Sequence, residues 1–209
     1  MARYVPVIHG AALDRADEAD TLLAAEAIAA SLARLGHETG ILRVGRGFAE
    51  LAELATGHPG AVVFNLIESL NGDASVAHLA PAMMEKLGLA YTGANAKAYA
   101  GTLSKLAVKE RLREVNLPTP DWWPRGGCVP QATRIIVKSV YEHGSLGMDQ
   151  DSLVEGAAAE AEVTRRERQF GGLFFAEAFI EGREFNVALL DEGKGARVLP
   201  IPEIDFSDL

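Results

Sequence analysis

RIIVKSVYEHGSLGMD, residues 134–149, combines a short apolar strand, a lysine at its end and a turn rich in glycine and serine. Such a turn can point several backbone N–H groups at one anion, and Lys138 would neutralise part of the anion's charge. The stretch therefore predicts a site that grips a polyphosphate. Taken alone, it is more typical of a surface hairpin in which glycines merely permit positive φ angles and Lys138 extends into solvent.

A second stretch, FFAEAFIEGREFNV at residues 174–187, places Glu177 and Glu184 around a short acidic turn. Carboxylates at these positions are suited to accept hydrogen bonds from ribose hydroxyls or to orient Lys138. Glu177 stands on an apolar strand, so it needs a hydrogen-bonding partner if it is buried; the alternative is the polar side of an edge strand. For Glu184, pairing with Lys138 and a solvated turn are both open.

The first half of the chain alternates strand-like and helix-like segments. The order strand, helix, strand, strand is typical of βαβ units on a mainly parallel sheet. The helical segment has apolar residues at helical spacing and is followed by Gly36, which suits a C-terminal cap. The segments are Tyr4–Ile8, Asp17–Leu35, Glu38–Val44 and Ala61–Ile67.

A stretch rich in proline, glycine and tryptophan separates this half from the next one. A helix that Ser104 can cap precedes it, and a new unit begins near Ala132. In that unit we expect a helix after the glycine turn and a hairpin at Asp191–Gly195. The charged run Arg165–Gln169 is predicted to be a solvated helix end without a further role. The expected elements are strand Arg134–Lys138, helix Asp151–Gln169, strand Leu173–Phe179 and strand Glu184–Leu190.

Composition narrows the function classes. The chain has 209 residues with 20 basic and 29 acidic side chains, a formal charge of −9, which argues against nucleic acid and against an anionic membrane surface as partners. Its single cysteine, Cys128, excludes an intrachain disulfide. The sequence has no zinc-type spacing of cysteine and histidine and no apolar run of membrane-spanning length, so we predict a cytoplasmic protein that acts on small molecules.

Five stretches, in this order and spacing, resemble the D-alanine:D-alanine ligases of the ATP-grasp superfamily from about Tyr4 to Ile204. They are NLIESLNGD (65–73), LGLAYTGANAKA (87–98), SKLAVKERLREVNLPTP (104–120), IIVKSVYEHGSLGM (135–148) and AEAFIEGREFNVALL (176–190). The resemblance favours ATP binding over the surface hairpin. It implies an α/β (α+β) fold with four parts: a Rossmann-like pre-ATP-grasp domain (1–103), a helix and linker (104–131), the small ATP-grasp subdomain (132–182) and the start of the C-terminal ATP-grasp subdomain, incomplete (183–209).

The resemblance also implies roles for individual residues. Lys105 and Lys138 would contact ATP phosphates, and Glu177 and Phe179 would lie at the adenine, where main-chain groups read the base. Glu184 would take up the ribose, and Asp17 or Glu18 would hold the amino group of the first D-alanine, with His9 and Gly10 on the same side. The loop over the phosphates would be Glu142, Gly144, Ser145, Gly147 and Met148, with Ser145 near the substrate.

The chemistry implied is the ATP-driven joining of two D-alanine molecules through an acyl phosphate, for peptidoglycan. The family loop usually has glycine-serine-serine after its glutamate, whereas this chain has His143, Gly144 and Ser145, and the family's proline after the strand lysine is Ser139. A ligase of the superfamily with another substrate is therefore an alternative. So is a fold relic with neither activity.

Family members carry magnesium ligands in a region that would follow residue 209, so we expect Mg²⁺ but assign it no ligand here. On the same basis we expect no turnover and weak nucleotide binding from this chain alone. A non-catalytic ATP-binding module is a further alternative, and a homodimer stays open.

Overall fold

A parallel sheet forms the centre of the first half of the computed structural model, which describes residues 2–10, 19–142, 147–191, 193 and 195–205. Its strands are β1 (Val7–His9), β2 (Ile41–Arg43), β3 (Val62–Asn65) and β4 (Ala90–Tyr91), in the spatial order β2-β1-β3-β4. All three strand pairs are parallel. The predicted βαβ arrangement is confirmed, with strands shorter than the apolar runs suggested.

Helices connect the parallel strands, as such crossovers require. They are α1 (Ala19–Arg34), α2 (Ala49–Gly57) and α3 (Leu79–Leu87), and α4 (Ala96–Leu103) follows β4. Gly36 has φ of +84° just after α1, as a C-terminal cap requires. Apolar side chains from the sheet, α2 and α3 form one buried cluster, which includes Ile8, Leu51, Val63 and Met84.

A second, antiparallel sheet follows α5 (Lys105–Glu114), whose start is capped by the Ser104 side chain as predicted. Its strands are β5 (Trp122–Pro124), β6 (Arg134–Ser139), β7 (Leu153–Glu155) and β8 (Phe174–Ala178), in the order β5-β8-β6-β7. Helix α6 (Ala159–Phe170) packs on one face of this sheet. These two four-stranded sheets are therefore of different type, and each has its own apolar cluster.

The predicted helix Asp151–Gln169 is wrong in its first half. Residues 150–152 and 156–158 form short 3₁₀ turns, and β7 lies between them. β7 pairs antiparallel with β6, so it satisfies backbone groups that would otherwise be an open strand edge. The helix begins only after Gly156, where a Cβ atom would come within 2.1 Å of the Pro130 carbonyl oxygen.

The last described part of the chain is a hairpin whose side chains are mostly exposed. The predicted strand Glu184–Leu190 is divided into β9 (Glu184–Phe185) and β10 (Leu189–Asp191). They pair antiparallel with β12 (Glu203–Ile204) and β11 (Ala196–Val198), respectively, which confirms the predicted turn between Asp191 and Ala196. In the described part of the chain, no helix has the length and apolar character that crossing a membrane requires.

Candidate functional site

The two faces of the second sheet differ in chemistry because side chains alternate along each strand. On one face, Ile135 and Val137 of β6 join Phe174 and Ala176 of β8 in the cluster beneath α6. On the other face, β6 carries Lys138 and β8 carries Glu177. Glu177 lies opposite Ile136 in the strand register, so Lys138 is its diagonal neighbour and within reach of a long side chain.

Glu177 is a buried carboxylate between two lysines. The residue is 8% exposed, its Oε1 atom lies 2.7 Å from Lys138 Nζ, and its Oε2 atom lies 2.6 Å from Lys109 Nζ. Glu177 therefore has two partners of the kind that a buried carboxylate requires, Lys109 and Lys138. The alternative pairing of Lys138 with Glu184 is wrong, because the described salt bridge of Lys138 goes to Glu177 and Glu184 is exposed on β9.

Helix α5 brings Lys105 and Lys109 to this face of the sheet together, since residues four apart share one side of a helix. Lys109 also donates to Thr119 Oγ1 (2.9 Å) and to the Pro120 carbonyl (3.1 Å) in the linker. Lys105 donates to the carbonyl oxygens of Ser139, at 3.0 Å, and of Glu142. Its ammonium group therefore sits where β6 ends and the glycine and serine turn begins.

Burial lowers the pKa of Lys105, and the like charge of Lys138 lowers it further. The carboxylates of Glu142 and Glu177 act in the opposite direction without reversing the shift. A lowered lysine pKa means that this environment disfavours its positive charge. An anion placed beside Lys105 would relieve that penalty.

The charges around Glu177 do not balance. Three ammonium groups, those of Lys105, Lys109 and Lys138, face the carboxylates of Glu177 and Glu142, which leaves one positive charge. The positive end of the α5 dipole adds to it. Lys138, with a side chain that is 27% exposed, is more accessible to a ligand than Lys109. The cluster is thus suited to hold an anion such as phosphate.

A cavity of about 400 Å³ adjoins this cluster. Ser139 and Glu142 line it beside the end of β6, Phe174 lines it at the start of β8, and residues 72–75 of the first half close another side. The cavity has room for a small molecule. Lys105, Lys109, Lys138 and Glu177 do not line it; it meets the cluster at Ser139 and Glu142, whose carbonyl oxygens accept hydrogen bonds from Lys105. In the described part of the chain, no group of three or more His, Cys, Asp or Glu side chains is arranged to hold a metal ion.

Several predicted site residues lie in other positions or outside the described residues. Asp17, Glu18, Gly144 and Ser145 are outside the described part. His9 is buried at the end of β1, and Gly10 follows it. A Cβ atom on Gly10 would lie 1.9 Å from the Ser69 carbonyl oxygen, so the close contact with the loop after β3 requires glycine there.

Of the residues predicted to contact adenine and ribose, Glu177 lies within β8, whereas Phe179 and Glu184 follow that strand. The N–H of Phe179 donates to the Arg134 carbonyl at 3.0 Å, and the N–H of Ala178 donates to the backbone carbonyl of Asp121 at 2.8 Å. A base bound at this segment would therefore meet its carbonyl oxygens or a later amide, rather than these two N–H groups. Glu184 begins β9 and is exposed. Its ribose role stays a prediction.

Two residues with evident structural roles were missed by the sequence analysis. Lys109 was not singled out in the sequence, although its spacing of four from Lys105 was a usable signal. The prediction that Arg165–Gln169 is merely a solvated helix end is wrong for Arg166, whose side chain is completely buried. Arg166 lies in helical phase with Ala159, Glu162 and Val163, the buried face of α6.

Gly147 is the first described residue after the glycine and serine turn. It is buried with φ of +66°, and a Cβ atom there would lie 3.0 Å from Phe170 and 3.2 Å from Phe174. Met148 is exposed. Glu142 donates its N–H to Ser139 Oγ at 3.3 Å, while its carbonyl accepts from Lys105. The described parts on either side of residues 143–146 are therefore both held by defined contacts.

Comparison with curated proteins reveals relatives over most of the chain. The D-alanine–D-alanine ligase of Ralstonia pickettii is 31% identical over 166 residues, which covers 76% of this chain and 48% of that protein. A Sinorhizobium fredii protein named uncharacterized protein y4sG is 28% identical over 193 residues, covering 88% and 56% respectively. The chain thus spans about half the length of the curated relatives it matches. No protein-family model matches it.

Comparison with solved structures gives the fold. The D-alanine–D-alanine ligase of Bacillus anthracis, crystallised in complex with ATP, superposes with a TM-score of 0.73 at 18% identity. The alignment covers all of this chain and 68% of that one. The mixed α/β architecture expected from the sequence, that of the ATP-grasp fold, is confirmed.

Proposed function

We infer that this chain, which belongs to the D-alanine–D-alanine ligase family, binds ATP with its phosphates at Lys105 and Lys138. The observation that supports this most is the excess positive charge around the buried Glu177 among the described residues. Phosphate oxygens would neutralise the surplus charge and relieve the cost of a buried Lys105 ammonium.

The reaction we propose for the complete enzyme is ATP-dependent joining of a carboxylate to an amine. The carboxylate of one amino acid, D-alanine or a similar one, attacks the γ-phosphate of ATP to form an acyl phosphate and release ADP. The amine of the second amino acid then attacks the acyl carbon, loses a proton and displaces phosphate. Two anions must meet in the first step, so cations such as Lys105 and Lys138 are needed to screen them.

Several of the predicted contacts have a place in this proposal. Phe179 and Glu184 would lie along the adenosine, and Gly147 and Met148 would lie at the phosphate side. The cavity beside Glu142 would accept the amino-acid substrate. Magnesium would accompany ATP and offset phosphate charge. Its protein ligands are not assigned among the described residues, and a peptidoglycan role for the dipeptide product is part of the proposal.

Isothermal titration calorimetry of this chain with ATP, with and without Mg²⁺, tests the nucleotide site. We expect saturable binding of ATP and ADP, and much weaker binding of adenosine, because the charge interactions are made by phosphate. Phosphate release with D-alanine present then separates a ligase from an ATP-binding module. The absence of saturable heat with ATP at millimolar concentration would contradict the nucleotide site.

ATP affinity should fall as pH rises towards the ordinary lysine pKa of about 10.4. Burial, followed by the charge of Lys138, lowers the pKa of Lys105 in the free protein, whereas bound phosphate would raise it again. At a pH between the pKa of Lys105 in the free protein and its pKa in the ATP complex, Lys105 takes up a proton when ATP binds. Increasing pH therefore opposes binding. Calorimetry in buffers of different ionisation enthalpy measures that uptake, which should be positive and no more than about one proton.

Lys105→Met serves as the control for the pH experiment, because methionine cannot take up a proton. Its ATP affinity should be weaker and nearly independent of pH over the same range. Proton release by the unsubstituted protein, or an equal pH dependence in Lys105→Met, would show that another group is responsible.

A further inference from the structure

Arg166 is a fully buried cation on α6, and its contacts lead to the segment that follows the glycine and serine turn. Its guanidinium donates to the Gly147 carbonyl at 2.8 Å and forms two hydrogen bonds with the Asp149 carboxylate. Its Nε atom donates to Glu162 at 2.5 Å. A planar guanidinium that binds one carboxylate with two donors fixes both position and orientation.

The segment is held from its other side as well. Asp149 donates its N–H to Ser152 Oγ at 2.9 Å, and Ser152 donates its N–H to the Asp149 carbonyl at 3.0 Å. Gly147 lies against Phe170 and Phe174, which also line the cavity beside Glu142. Residues 147–149 are therefore docked on α6 and β8 at the edge of the candidate site.

The ionisation of this network favours the docked arrangement. Hydrogen bonds from Arg166 lower the pKa of the Asp149 carboxyl, and the same contact raises the pKa of Arg166. Burial raises the pKa of Glu162, but hydrogen bonds from Arg165 and Arg166 lower it overall. Two guanidinium groups and two carboxylates thus share a balanced cluster, in which only Arg166 contacts both Gly147 and Asp149.

We propose that Arg166 is a positioning residue for phosphate binding: it holds Gly147 and Asp149, so that this segment, which contains the expected phosphate-side residues Gly147 and Met148, keeps one conformation. This inference rests on the proposed nucleotide site and adds to it a residue that contacts no ligand. Ordering the segment before the nucleotide arrives reduces the conformational entropy lost on binding.

Arg166→Met should speed amide hydrogen exchange at Asp149 and Ser152 and weaken ATP binding about 10-fold, the effect expected from losing a hydrogen bond to a charged group. Adenosine affinity should change less than about 2-fold, because the adenosine contacts lie elsewhere. Arg166→Lys, which keeps the charge but not the planar fork, should recover part of both effects.

Arg165→Met is the matched control, since Arg165 also pairs with Glu162 but its described hydrogen bonds go to Glu162 and Gln169. It should change neither exchange nor the ratio of ATP to adenosine affinity. Asp149→Asn tests the same contact from its exposed end if Arg166→Met does not fold. Like Arg166→Met, it should speed amide exchange in this segment and weaken ATP binding.

Unchanged exchange at Asp149 and Ser152 in both Arg166→Met and Asp149→Asn would overturn the positioning role. Equal losses of ATP and adenosine affinity would also overturn it, because they would indicate general loosening. If the unsubstituted chain bound no ATP, the nucleotide site itself would be wrong. The exchange rates would still decide whether Arg166 orders the segment.

Discussion

Replacing Glu177 with glutamine should lower the free energy of unfolding by about 3 kcal/mol, as expected when one partner of a buried ion pair loses its charge. Glutamine keeps the shape but not the charge of the side chain. The buried Lys109 ammonium would then lose the carboxylate that neutralises its charge. Its remaining described hydrogen bonds go to neutral oxygens, those of Thr119 and Pro120. Urea unfolding, followed by circular dichroism, measures the change.

Glu114→Gln is a suitable control for this stability measurement. Glu114 pairs with Arg111 at 2.9 Å, but both side chains are largely exposed. Its substitution should change the free energy of unfolding by less than about 0.5 kcal/mol. If Glu177→Gln destabilised the protein no more than Glu114→Gln, the Glu177 cluster would not contribute to stability as argued.

Replacing Lys138 with methionine should weaken ATP binding about 30-fold, or about 2 kcal/mol, as expected from the loss of a charge-assisted contact with phosphate. The apolar stem of the side chain is retained, and Glu177 keeps its salt bridge with Lys109. The free energy of unfolding should therefore fall by less than about 1 kcal/mol. Calorimetry with ATP and urea unfolding provide the two values.

Lys109→Met is the informative comparison, because it removes the other lysine from the same carboxylate. Lys109 is buried and bonded to the linker at Thr119 and Pro120. Its loss should therefore reduce stability more than Lys138→Met does, and ATP affinity less. If the two variants reduced ATP affinity equally, Lys138 would have no special role at the phosphates.

Local sequence was sufficient to identify the strands that carry the site. Side chains alternate along β6, so Lys138 lies on the face of the sheet that Ile135 and Val137 do not share. This pattern is visible in the sequence alone. The βαβ order of the first half and the Ser104 cap of α5 are local signals of the same kind. The resemblance to a known family then supplied the roles expected of Lys105 and Glu184.

The sequence offered both Glu177 and Glu184 as partners of Lys138 and could not decide between them, because the pairing depends on contacts between distant segments. Lys138 and Glu177 are 39 residues apart, and their approach requires the register of β6 against β8. Lys109 reaches the same carboxylate only because α5 packs across that face of the sheet. Sequence reasoning therefore left Glu184 as an equal candidate, which the structure excludes as the described salt-bridge partner of Lys138.

Arg166 and β7 show two other limits of sequence reasoning. In the run TRRER, charge is so dense that an exposed helix end was the natural prediction. Arg166 can be buried because Gly147, Asp149 and Glu162 supply acceptors for its guanidinium group. The sequence of β7 is compatible with a helix. It forms a strand because the free edge of β6 offers backbone partners, which is a tertiary effect.

The exposed hairpin of β9 to β12 bears on how the purified protein will behave in solution. It presents apolar side chains and open strand edges, which promote self-association. The net charge of −9 opposes this by mutual repulsion, and acid removes that charge as carboxylates are protonated. Concentrated samples should therefore stay monodisperse in neutral, low-salt buffer and precipitate as the pH is lowered. The exposed apolar residues of the hairpin are Phe185, Val187, Leu189, Leu190, Val198 and Ile201.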